Sequence, residues 1–174
     1  LSVLTKGWSA SLVDSGVYVP IHVCGLGVDH IDNIHSDSDY KITKKSYSFL
    51  HISSCFPRKG IDILLKAYGE AFTSNDQVTL VIKTFKNPHN NVYNLLKKCR
   101  AQDPNYPDVL VIDTNLNDSE IKSLYKQCDV LVSPSFGEGF NLPLAEAMKL
   151  GIPTITTGWG GQMDFCNSSN SWLI

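Results

Sequence analysis

Apolar positions along this chain repeat with two different periods, and the period changes from one short segment to the next. At residues 48–53, SFLHIS alternates in the period-2 manner of a strand. At 61–72, IDILLKAYGEAF sets Ile61, Leu64, Leu65, Tyr68 and Phe72 at helical spacing. VTLVIKT (78–84) is rich in β-branched residues and predicts a buried strand. NVYNLLKKCR (91–100) reads as a helix and DVLVID (108–113) as a strand. NDSEIKSLYKQC (117–128) predicts a helix with Asp118 or Ser119 capping its start. DVLVSPS (129–135) is a strand, LPLAEAMKL (142–150) a helix stopping at Gly151, and IPTITT (152–157) a strand.

Steady alternation of strand and helix implies right-handed βαβ units, hence an α/β, Rossmann-like parallel sheet with helices on both faces. The nearly continuous apolar strands fit burial on both sides. Ligands of such sheets bind at the carboxyl ends of the strands. That rule selects the loops 53–60, 83–90, 113–117, 134–141 and 158–161 before any motif is considered. Residues 1–47 differ: GWSASLVDSG (7–16) reads as a helix, VYVPIHVCGLGVD (17–29) as strand and turn, and NIHSDSDYKITKKS (33–46) as a solvated polar linker.

Bulk composition narrows the partners. With 174 residues, 43% hydrophobic, 18% charged and a net charge of −2, the chain suits one ordinary α/β domain. Nothing in that balance draws it to nucleic acid or an anionic membrane. No apolar run approaches the ~20 residues of a membrane span, and no signal peptide is evident. The five cysteines (Cys24, Cys55, Cys99, Cys128, Cys166) are scattered without a C-x-x-C pair, so buried or half-buried thiols of a reducing, cytoplasmic compartment are expected. The five histidines show no metal-ligand spacing and read as structural; no metal is expected. Asn117 and Asn167 open N-x-S triplets, read as a helix start and a loop.

Candidate chemistry sits at two strand ends. In CFPRKGIDILL (55–65), Arg58 and Lys59 stand just before a helix whose N-terminus is already electropositive. A bound anion would turn that repulsion into attraction, which makes the stretch a phosphate clamp; an exposed basic turn is the equal alternative. In FGEGFNLPLAEAM (136–148), Pro143 suits a first helical turn and Asn141 an N-cap, leaving Glu138 in the loop and Glu146 about one turn inside. The N–H groups of Phe140, Asn141 and Leu142 point out of the helix start, and Gly137 and Gly139 let the backbone approach a ligand. Amide donors plus two carboxylates suit a molecule with both phosphates and hydroxyls, such as a sugar nucleotide.

The segment SPSFGEGFNLPLAEAMKLGIPTITT (133–157) resembles the signature of glycosyltransferase family 4, the group 1 transferases of the GT-B fold; Glu138 and Glu146 match its E-x7-E motif. RKGIDILLKAY (58–68) is similar to the family's lysine-glycine segment, and LNDSEIKSLYKQCDVLVSPS (116–135) to the run leading into the motif. The likeness extends from about Val19 to Ile174. It implies the nucleotide-sugar-binding half (48–174, preceded by an interdomain lead-in and linker over 1–47) of a retaining, metal-independent transferase. The donor would be a UDP- or GDP-sugar, and no cofactor is needed. Glu138 would face hydroxyls of the transferred sugar and Glu146 the ribose. Lys59 would hold the diphosphate and stabilise leaving-group charge. Amides of Gly139, Phe140, Asn141 and Leu142 would hold sugar and phosphate, and the loop containing Thr114 and Leu116 would meet the base. The acceptor, a glycan, lipid-linked sugar or other molecule, would bind a second domain without counterpart here, so this chain is expected to transfer little alone. In the full-length enzyme, the inner face of a membrane and cell-surface polysaccharide synthesis are the expected setting.

Three departures qualify the likeness. The family's arginine five residues before its lysine is here Ser54, so Arg58 is the substitute cation. GGQMD (160–164) offers Asp164 where a glutamate is usual, and Asp164 reads as structural. Lys83 replaces a frequent glycine; it either reaches a phosphate or is a solvated strand-end lysine. A non-catalytic nucleotide-sugar-binding module, a GT-B sugar-nucleotide epimerase and a flavodoxin-like or response-regulator domain are the competing readings; the last lacks its acidic cluster or flavin loop.

Overall fold

The computed structural model describes residues 1–174. Six parallel strands form its main sheet: β3 (Tyr47–Ile52), β4 (Val78–Lys83), β5 (Asp108–Ile112), β6 (Val130–Ser133), β7 (Thr154–Thr156) and β8 (Trp172–Leu173). Their spatial order is β5-β4-β3-β6-β7-β8. The chain builds outward from β3 in one direction and then returns to build outward in the other, so the order reverses between β3 and β6.

Side chains on these strands alternate between two cores, as a pleated strand requires. Leu80, Ile82, Val109 and Val132 pack with Ile61, Leu64, Leu65 and Tyr68 of α3 (Ile61–Ala71) and Val92 and Leu96 of α4 (Val92–Gln102). Leu50, Val81 and Leu131 face the other way, onto Leu124 and Tyr125 of α5 (Asp118–Gln127) and Leu144 and Ala147 of α6 (Leu142–Lys149). The α/β sheet with helices on both faces is therefore the architecture that the alternation predicted. The last strand, β8, carries only two residues and too little pattern to be foreseen.

Helix starts depart from expectation in two places. Asn117, not Asp118 or Ser119, caps α5: its side chain accepts from Glu120 N at 3.0 Å while Glu120 returns a bond to Asn117 N at 2.7 Å. This reciprocal box satisfies two orphan groups at once, which a cap one residue later would not. Asn141 precedes α6 but does not cap it with its side chain. It sits in the left-handed region (φ 75°, ψ 63°), and its amide instead donates to Ser133 Oγ at 3.0 Å.

Within the first 47 residues, the helix expected over 7–16 and the strand expected over 17–29 are present, whereas the polar run 33–46, expected as a solvated linker, is tied to α5. β1 (Ser2–Val3), α1 (Lys6–Asp14) and β2 (His22–Val23) form a small parallel βαβ unit. A short α2 (His30–Asn33) follows, with Ile31 buried. Lys122 Nζ donates to the carbonyls of Ile31 and Ile34 at 2.6 and 2.7 Å, and Gln127 bonds the backbone of Tyr40 and Ile42. Backbone–side-chain bonds of this kind leave little periodic trace, so the polar run reads as free loop although α5 holds it. Of the cysteines, Cys55, Cys128 and Cys166 are buried and Cys99 is half-buried, but Cys24 is exposed beyond the short edge strand β2. No helix is long and apolar enough to cross a membrane.

Candidate active site

The order reversal between β3 and β6 opens a crevice at their carboxyl ends, where α/β sheets bind ligands. The loops leaving those two strands carry the candidate residues. After β3, a 3₁₀ turn over Pro57–Lys59 ends at Gly60 in the left-handed region (φ 69°). A Cβ there would lie 2.2 Å from Pro134 O, so this close approach of the two loops needs glycine.

Lys59 Nζ reaches Glu138 Oε1 at 2.5 Å, and Arg58 Nη1 lies 3.4 Å from Glu138 Oε2 and 2.7 Å from Gly137 O. The Glu138 side chain is 7% exposed. A carboxylate so enclosed is tolerable because two cations face it. The two strand-end stretches thus form one site.

Beneath the pair lies His51, fully buried in β3. Its Nδ1–H donates to Val132 O at 2.9 Å, because a carbonyl only accepts; its Nε2 accepts from the Ser53 hydroxyl at 2.8 Å. Burial pushes its pKa down to about 4; the Val132 bond opposes the shift, Lys59 adds to it and Glu138 partly cancels that.

Glu146 is not the helix-surface acid its position in α6 also allowed. Tyr125 donates to Oε2 at 2.8 Å and His30 Nε2 meets Oε1 at 2.8 Å. Burial first, and the Glu146 charge second, hold the Tyr125 hydroxyl well above its ordinary pKa, so it is a donor. Neither partner was legible in the sequence: Tyr125 lay in the helix read over 117–128 and His30 in the lead-in segment.

Two cavities flank the Lys59–Glu138 pair, the first lined by Lys59 and the second by Glu138. One, of ≈ 310 Å³, is lined by Ser53, Ser54, Arg58, Lys59, Lys83 and Pro143 among others. The other, of ≈ 510 Å³, lies between α1 and the loops after β6 and β7, with Trp8, Trp159, Met163 and Asp164 in its wall. Lys83 is buried, so the solvated strand-end reading is overturned: β4 is an interior strand covered on both faces. Asp164 accepts from Lys6 N at 2.8 Å, tying the start of α1 to the loop after β7.

The remaining residues fall into place unevenly. The N–H groups of Phe140, Asn141 and Leu142 find no backbone acceptor in the chain. The Phe140 ring packs on Phe165, with ring centroids 5.0 Å apart. Gly137 and Gly139 do not adopt left-handed angles, and the steric demand falls instead on Gly161, where a Cβ would meet Gly139 O at 2.0 Å. Thr114 is exposed, while Leu116 packs against the α5–α6 core.

Comparison with known proteins identifies the family and the fold. The sequence pattern of the family described as glycosyl transferases group 1 matches residues 33–173, and the chain belongs to that family. Over 140 residues it is 27% identical to the MMP alpha-(1->4)-mannosyltransferase of Mycolicibacterium hassiacum, covering 80% of this chain and 32% of that protein. It is 29% identical over 133 residues to the UDP-N-acetylglucosamine–peptide N-acetylglucosaminyltransferase GtfA subunit of Streptococcus agalactiae, covering 75% and 25%. The chain therefore spans about a third or less of these relatives. HepE of Anabaena, solved with UDP and glucose, has the same fold at a TM-score of 0.82 and 18% identity, covering 99% of this chain and 48% of that one. The chain is thus one Rossmann-like half of the GT-B architecture.

Proposed function

We propose that this chain is the donor-binding half of a retaining, metal-independent glycosyltransferase of family 4. The observation that carries the reading is the Lys59–Glu138 contact at the point where strand order reverses, with a cationic cleft on one side and an aromatic cavity on the other. A nucleoside diphosphate in the cleft places its phosphates against Lys59 and Arg58 and near the free amides of Phe140, Asn141 and Leu142. The ribose lies against Glu146 and the base against the loop holding Thr114 and Leu116. The transferred sugar then meets Glu138 and the backbone at Gly139, where a carboxylate accepts its hydroxyls. As the bond to the sugar breaks, negative charge grows on the leaving diphosphate, and Lys59 stabilises it in place.

UDP- and GDP-sugars are the donors we favour. The relatives that transfer mannose and N-acetylglucosamine fit that range. The acceptor, a glycan or lipid-linked sugar, binds chiefly to the second half of the architecture, in a cytoplasmic enzyme of polysaccharide synthesis.

The reading is tested by titrating the chain with UDP, GDP, ADP and their sugar conjugates using ligand-observed NMR. Selective binding of one diphosphate, weakened by Lys59→Ala and Glu146→Ala, supports it. A folded chain that binds none of them contradicts it.

A further inference from the structure

Lys83 ends β4, and its register pairs it with Ile52 of β3 and Ile112 of β5. It is therefore one strand away from the loop that carries Arg58 and Lys59, at the same carboxyl edge of the sheet. Its residue is 8% exposed. A lysine enclosed to that degree ordinarily has an anionic partner. Lys83 has none: its Nζ makes one hydrogen bond, to Thr84 O at 2.7 Å, and no carboxylate lies within ion-pair distance. An ammonium has three donors, so two are unused. The other two cations of the same cleft are already committed, Lys59 and Arg58 both to Glu138. The lining of the cleft contains these three cations and no acidic residue.

We propose that Lys83 is a phosphate-binding residue of this cleft, meeting the diphosphate of the nucleotide from the side opposite Lys59. The proposal rests on the reading of the cleft as a nucleoside-diphosphate site. Burial lowers the Lys83 pKa and the charge of Asp113 opposes the shift, so the ammonium is under-solvated where it stands. A phosphate oxygen supplies an anionic acceptor that the protein around Lys83 does not. The strand end thereby adds to the phosphate site a cation that is not neutralised by Glu138 before ligand arrives.

The test uses the chain with UDP, GDP, uridine, guanosine and inorganic pyrophosphate, titrated into the wild type, Lys83→Met, Lys83→Arg and Lys59→Ala. Lys83→Met should weaken pyrophosphate and the preferred diphosphate about tenfold or more, leave the matching nucleoside unchanged, and be largely rescued in Lys83→Arg. Unchanged diphosphate affinity in Lys83→Met, with Lys59→Ala still weakening it, overturns the role of Lys83 alone. Equal loss for nucleoside and diphosphate also overturns it, since the contact is then to the base. Absence of binding to the folded wild type overturns the cleft reading and the proposal together. Should the methionine variant not fold, the Lys83 side-chain carbon adjacent to Nζ is followed by NMR in the wild type. Pyrophosphate should raise the pH at which it titrates, and no movement counts against the proposal.

Discussion

Tyr125 donates its buried hydroxyl to Glu146 Oε2 at 2.8 Å, from α5 to α6, and so fixes the orientation of the carboxylate. Removing that donor leaves Glu146 with His30 as its side-chain partner. Tyr125→Phe should cost about 1 kcal/mol of stability and weaken nucleotide binding several-fold while leaving pyrophosphate binding intact. Urea unfolding and NMR titration measure the two effects separately. Equal loss for both ligands would place Glu146 at the phosphates and not at the ribose.

Lys59 and Glu138 should be energetically coupled. Lys59→Ala leaves an enclosed carboxylate with only the longer contact to Arg58. The single change should therefore destabilise more than Lys59→Ala in a Glu138→Gln background. A double-mutant cycle by urea unfolding should give a coupling of about 1–3 kcal/mol; a value near zero means that the pair contributes nothing to the folded state.

Gly60 and Gly151 both have left-handed backbones, but for different reasons of space. At Gly151 a Cβ meets nothing within 4 Å, whereas at Gly60 it meets Pro134 O at 2.2 Å. Gly151→Ala should cost about 1–2 kcal/mol, the conformational penalty alone. Gly60→Ala adds a backbone clash and should cost about 2–4 kcal/mol. Because the clash moves the loop after β6, Gly60→Ala should also weaken nucleotide binding, and Gly151→Ala should not. Thermal melts and titrations of both variants check this ordering.

His51 should make stability depend on pH. Its pKa is lowered from 6.5 to about 4 on folding, chiefly by burial. The unfolded chain then binds the extra proton in that window, so stability is fully present above pH 6.5 and falls as pH drops toward 4. The total change from this group is about 3 kcal/mol. Urea unfolding between pH 7 and pH 4.5 should show a shallower decline in His51→Gln than in the wild type. Parallel declines would mean that other groups carry the acid sensitivity.

The elements of the sheet were legible because each depends on near neighbours in the chain. Leu64, Leu65 and Tyr68 are apolar at helical spacing whatever they pack on, and Leu80 and Ile82 alternate with Val81 on opposite faces whatever covers them. The acids of the E-x7-E run were legible for the same reason, since one helix start positions both. What misled was local chemistry with a distant partner. Asn141 resembles a cap but donates to Ser133, and the polar run before β3 resembles free loop but is held by Lys122 and Gln127.

Periodicity and spacing thus suffice for an alternating α/β chain with one acid and two cations in strand-end loops and a second acid one turn into a helix, since every such feature is set within a few residues. They carry nothing on which loop meets which. Lys59 and Glu138 are 79 residues apart, and His30 and Glu146 are 116 apart. Those contacts exist because the strand order reverses between β3 and β6 and because α2 docks beside α6, and both depend on how the two cores pack against the sheet.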